Sequence, residues 1–161
     1  MHSVGIDENT FIEKKKALFE LYKTPITDSN VAQIMLNELL VSAFNRRDYQ
    51  SLKKIYWTMA IIAFGEKREF FHILIEVRKY ELLIINQSQL KYGCDEVKIM
   101  VPVGECESCS ELEGKVFKTY EILNNPPLPN PNCSSGWCNC CFQPVLDIVK
   151  TKNFLDAKFH K

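Results

Sequence analysis

The chain has 161 residues, 46% of them hydrophobic and 25% charged, and its 20 Lys/Arg are matched by 20 Asp/Glu. That length suits one ordinary domain, or a helical domain with a small module attached, and zero net charge gives no long-range field for phosphates or membranes. The opening Met1 to Glu8 lacks a basic stretch followed by an apolar core, and the run Met59 to Phe64 is far short of the ~20 apolar residues a membrane span needs. A cytoplasmic, reducing setting is therefore expected, in which clustered thiols serve as metal ligands rather than disulfides.

Four helical segments are predicted in the first ninety residues. Thr10 with Glu13 reads as a capping box, and Phe11, Leu18, Leu21 and Tyr22 supply an apolar stripe that ends at Thr24-Pro25. Asp28 or Ser29 caps a second helix in which Val31, Met35, Leu39 and Phe44, with Ile34 and Leu40, recur at three- and four-residue steps. Asp48 caps a third, with Leu52, Ile55, Met59 and Ile62 on one side and Gly65 suited to the left-handed position beyond its end. A fourth runs from about Lys67 to Leu90 through Phe70, Phe71, Leu74, Val77, Tyr80 or Glu81, and Ile84, with Gly93 as its terminator. Short connections imply antiparallel neighbours, hence a small bundle over residues 1–93.

The pattern changes after Gly93. Val97 to Val103 alternates in the strand period, Lys115-Val116-Phe117 is a second strand candidate after a turn at Glu113-Gly114, and Thr119 to Leu123 forms at most one helical turn. Residues 124–132 hold four prolines and read as an extended surface connection. Phe142 to Val149 offers a closing strand, and residues 151–161 a short helix or tail. The expected class is α+β: a helical domain at 1–93, a small β-rich, zinc-stabilised, ribbon-like module at 94–150, and a C-terminal tail.

Six of the seven cysteines fall between Cys106 and Cys141. Cys106 and Cys109 form a C-x-x-C directly after a predicted strand; Cys133 and Cys138 enclose Ser134-Ser135-Gly136-Trp137, where Gly136 permits a tight bend. Two such pairs match a tetrahedral zinc site. Cys106, Cys109, Cys133, Cys138 and Cys140 are the candidate ligands, with Cys138 and Cys140 competing for the fourth place. Nothing resembles H-E-x-x-H or the zinc-deaminase signature, and the three histidines (His2, His72 and His160) lie away from the cluster in sequence. The expectation is a structural metal site.

Cys106-x-x-Cys109, Leu112-x-Gly114-Lys115-x-Phe117, Pro126-Pro127-Leu128, Pro131-Asn132-Cys133 and the C-x-C at Cys138 and Cys140 together resemble the end of phage Mu F-like minor head proteins, the head morphogenesis family. The likeness covers residues 106–141. Asn130 stands where that family has a His, and Ser134 to Trp137 separate Cys133 from the C-x-C. The resemblance implies a shared zinc-bearing module, with an additional cysteine replacing the His as ligand.

The other candidates have plainer readings. Cys94 lacks a neighbouring base in sequence and reads as a semi-buried thiol, while Trp57 with Tyr56, Phe64, Phe70 and Phe71 reads as helical core. Trp137 lies inside the second metal loop, placed either to pack beneath the metal or to anchor a partner. Residues 94–161 carry 7 Lys/Arg against 9 Asp/Glu, and Glu105, Glu107, Glu111 and Glu113 flank the first cysteine pair. That surface is poorly suited to nucleic acid. The functional expectation is a non-catalytic, zinc-stabilised interaction protein with a protein partner. A head-morphogenesis-like structural protein and a nucleic-acid-binding zinc protein are the alternatives.

Overall fold

The computed structural model describes residues 4–89, 94–103 and 107–159, and its architecture is α+β. Helices α1 (Glu8–Tyr22), α2 (Asp28–Asn45), α3 (Tyr49–Gly65) and α4 (Phe71–Gln89) come first. They are followed by β1 (Glu96–Met100), α5 (Glu107–Ser110), β2 (Val116–Lys118), α6 (Thr119–Ile122), β3 (Cys141–Pro144) and α7 (Ile148–Phe159). No described helix is long and apolar enough to cross a membrane.

The chain divides into two compact units, Met1–Val77 and Arg78–Lys161. The division falls inside α4, whereas the sequence reading places a boundary after residue 93. The last three turns of α4 thus belong with the sheet, because Leu82 and Ile85 share one apolar cluster with Val97, Ile99 and Phe142.

In the first unit α1 packs on α2 and α2 on α3. Local chemistry sets the ends of these helices. The cap of α1 is Asp7 rather than Thr10: its carboxylate accepts from the Thr10 backbone N at 2.8 Å and from the Thr10 hydroxyl at 2.9 Å. An ionised acceptor satisfies the free amides of the first turn better than a hydroxyl does, and Thr10 becomes the donor. Thr27 caps α2 in place of Asp28 or Ser29. Asp48 caps α3 as the sequence predicts, accepting from the Ser51 backbone N at 3.1 Å and its hydroxyl at 2.7 Å.

Gly65 is the last residue of α3 rather than the left-handed residue beyond it. That position falls to Lys67, at φ 56, where Arg68 N closes back on the Ala63 carbonyl at 2.8 Å. This closure satisfies an orphan carbonyl of the last turn, and it sits two residues later than a glycine alone suggests. The start of α4 moves in step, to Phe71 rather than Lys67. Its predicted stop at Leu90 and Gly93 lies outside the described residues.

In the second unit β1 is the central strand of a sheet ordered β2-β1-β3, antiparallel on both sides. Val97 pairs with Phe117 and Pro144, and Ile99 with Phe142. Val97 and Ile99 are fully buried, so the predicted alternation places one face of β1 in the core. Gly114, at φ 72, turns the chain back so that its N–H reaches the Ile99 carbonyl at 2.9 Å. Lys118 bonds to Asp95 at 2.9 Å and Glu96 at 3.0 Å, and these hydrogen bonds hold its ammonium well above the usual lysine range.

Two further expectations need correction in this unit. The closing strand ends at Pro144, and Ile148 and Val149 start α7 instead. The proline-rich stretch is a surface connection only at its ends: Asn124, Asn125, Pro131 and Asn132 are exposed, but Leu128 is fully buried in the apolar cluster, and Pro129 and Asn130 are buried beside it. A run of prolines lacks the N–H donors of a helix or a sheet ladder, but it can still carry a side chain into a core, and this segment delivers Leu128 there.

Candidate metal centre

Two segments bring the thiols together. The single turn α5 carries Cys109, whose carbonyl accepts from Leu112 N at 2.9 Å before the chain turns at Gly114 toward β2. The second segment descends from Leu128 through Asn130 to Cys133, bends at Gly136 with φ 73, and reaches Cys138. Ser108 joins the two, its hydroxyl donating to the Asn132 carbonyl at 2.8 Å.

The sulfurs of Cys109, Cys133 and Cys138 all lie within 4.8 Å of one another. Four sulfurs about 2.3 Å from a zinc ion sit about 3.8 Å apart, so three of the vertices are nearly in place. Cys109 is fully buried, Cys138 is 3% exposed and Cys133 is half-buried. Cys106, the partner of Cys109 in the C-x-x-C, lies outside the described residues. Cys140 is fully buried in the apolar cluster and is not one of the three converging sulfurs. Between the two competitors, Cys138 is the one that joins Cys109 and Cys133.

The sulfurs are held in a hydrogen-bonded setting. Asn130 donates its backbone N–H to Cys138 Sγ at 3.4 Å and its side-chain Nδ2 to Cys109 Sγ at 3.6 Å. Cys133 Sγ lies 2.9 Å from the Ser135 hydroxyl, which in turn donates to the Trp137 carbonyl at 2.9 Å. Trp137 itself is half-buried. Asn130, read in sequence only as a substitute for a family His, therefore touches the cluster directly.

Sequence reasoning also missed Arg78 and Glu81. Both are buried, paired at 3.0 Å, and set on the α4 stripe otherwise occupied by Leu74, Val77, Leu82 and Ile85. Arg78 Nη2 donates to the Cys138 carbonyl at 3.4 Å, and Glu81 Oε2 accepts from Phe142 N at 3.4 Å. The available signal was two opposite charges one turn apart on an apolar helix face.

The remaining candidates sit elsewhere. Cys94 is buried with its sulfur 3.6 Å from the Thr151 hydroxyl. His72 is exposed on α4, 3.9 Å from Glu69. His2 and His160 fall outside the described residues.

Three converging thiols, two of them buried, form a soft donor set able to bind a metal ion. Such a set favours zinc, copper(I) or iron–sulfur chemistry over magnesium or calcium, which take oxygen ligands. No family model, curated protein or solved structure matches this chain.

Proposed function

We propose that the chain is a non-catalytic adaptor that binds another protein. In this reading one zinc ion, bound by Cys106, Cys109, Cys133 and Cys138 in a cytoplasmic, reducing setting, clamps its C-terminal unit. The observation that carries the reading is the burial of Cys109 and Cys138 against the core of that unit. A catalytic zinc keeps a coordination position open to substrate, whereas a structural zinc is closed by four protein ligands and contributes folding free energy. The same unit exposes Val103, Tyr120, Leu146, Ile148 and Val149, which supports a surface covered by a partner.

Elemental analysis of freshly purified, reduced protein tests the clamp: about one zinc per chain is expected, and metal-free folded protein overturns it. A pull-down from the native cell tests the adaptor role. A partner retained by the wild type and lost by the folded Leu146→Asp/Ile148→Asp variant supports it. Binding to DNA that weakens steeply with salt overturns it.

A second reading, a head-morphogenesis-like structural protein, draws on the cysteine, Gly-Lys and Pro-Pro pattern of residues 106–141. Recovery of capsid or portal proteins in the same pull-down selects this second reading over the first.

A further inference from the structure

We infer that Asn130 is a positioning residue of the thiol cluster, whose N–H···S hydrogen bonds set the arrangement of the sulfurs that bind metal. The inference rests on the metal reading above and concerns how the site is built. Asn130 is 7% exposed, and each of its polar groups has a partner. Its Oδ1 accepts from Asn132 N at 3.0 Å, which fixes the orientation of the amide. Nδ2 must then face the other way, where it donates to the Ser108 carbonyl at 2.9 Å and to Cys109 Sγ at 3.6 Å. The backbone N–H goes to Cys138 Sγ at 3.4 Å, and the backbone carbonyl accepts from Cys133 N at 3.1 Å. One residue thus contacts all three converging cysteines.

Asparagine suits this position chemically. It offers two side-chain protons for two acceptors, Ser108 O and Cys109 Sγ, and one acceptor for Asn132 N. A metal-bound thiolate accepts hydrogen bonds and donates none, and a charged acceptor gains more from an N–H than a neutral thiol does. The contacts therefore favour the metal-loaded state. An N–H donor also draws electron density from the sulfur it points at, the opposite of an outer partner that accepts from a ligand and raises its basicity.

Cobalt(II) titration of the full reduced chain tests this by absorption spectroscopy, comparing wild type with Asn130→Ala and Asn130→Asp. The wild type should take up the ion with a sulfur-to-cobalt charge-transfer band. Asn130→Ala keeps the backbone donor to Cys138 but loses the donor to Cys109. Its affinity should fall about 10-fold, the low end for outer partners, and its band should move to lower energy. Asn130→Asp turns a carboxylate oxygen toward Ser108 O and Cys109 Sγ, so its affinity should fall further, by about 100-fold.

A side chain that merely fills space predicts the reverse order, with the near-isosteric Asp close to wild type and the band unmoved; that result overturns the proposal. If Asn130→Asp does not fold, the Ala band decides, and an unshifted band overturns it. Wild type that binds no cobalt removes the metal site itself and this role with it. Uptake by wild type with unchanged variants removes only the role of Asn130.

Discussion

Arg78 Nη2 donates to the backbone carbonyl of Cys138 at 3.4 Å across 60 positions of sequence, joining the last turns of α4 to the loop that carries the thiols. The guanidinium is buried and neutralised by Glu81 at 3.0 Å. Glu81 in turn accepts from Phe142 N at the start of β3. One buried ion pair therefore serves the helix, the thiol-bearing loop and an edge strand together.

Breaking that pair on one side leaves a buried charge uncompensated. Arg78→Met should destabilise the second unit by about 3–5 kcal/mol, and Arg78→Met/Glu81→Leu by clearly less, because neither charge is then stranded. Hydrogen exchange at the β1 amides of Val97 and Ile99 reads this locally. Equal loss in the single and double variants would show that the pair contributes packing and not charge balance.

The thiol geometry makes a sharper statement about the metal. On the proposed zinc reading, Cys109→Ser, Cys133→Ser and Cys138→Ser should each lose most of the zinc, whereas Cys140→Ala should keep it while loosening the apolar cluster. Zinc counted by elemental analysis after gel filtration separates the four variants. Retention by Cys138→Ser with loss in Cys140→Ala would reverse the assignment. Chelation of the wild type should raise exchange at β1 and leave α2 and α3 protected, because those helices are built within the first unit.

Much of this was legible in the sequence, for reasons that differ by element. Strand β1 announces itself because Val97 and Ile99 alternate and both are buried on one face. Asp48 is readable as a cap because Ser51 lies in the same turn. Thr10 misled because Asp7, three residues earlier, competes for the same first-turn amides with a stronger acceptor. The spacing marks the cysteine cluster and pairs Cys133 with Cys138 while leaving Cys140 as a competitor; in the folded loop it is the Cys138 sulfur that lies within 4.8 Å of those of Cys109 and Cys133. Asn130 reaches Cys109 across 21 positions, Arg78 reaches Cys138 across 60 and Glu81 reaches Phe142 across 61, and no local pattern encodes these contacts.

The cap of α3 gives a pH-dependent prediction. The Ser51 hydroxyl, and then its backbone N–H, bond to the Asp48 carboxylate and lower its pKa below the ordinary 3.8. A lowered folded-state pKa means that the cap's contribution is fully present above the unfolded value and is lost as pH falls through the folded one. Asp48→Ala should cost about 1 kcal/mol near neutrality. The gap between wild type and variant, read by thermal unfolding, should close in acid below pH ~4. A gap that stays constant into strong acid would show that the carboxylate charge plays no part.

Leu128 tests whether the proline-rich segment is structural. It is fully buried in the cluster with Ile99, Ile122 and Phe142, although the chain on either side of it is proline. Leu128→Ala removes a core side chain from a segment with no regular hydrogen-bond ladder, and should cost about 2–5 kcal/mol. The exposed Leu146 provides the control: Leu146→Ala should stay within about 0.5 kcal/mol of wild type. Because Asn130 follows Leu128 by two residues, the loss should reach the thiols, so Leu128→Ala should release zinc to a chelator faster than Leu146→Ala does. Matching release rates would mean that Leu128 anchors the core without positioning the metal loop.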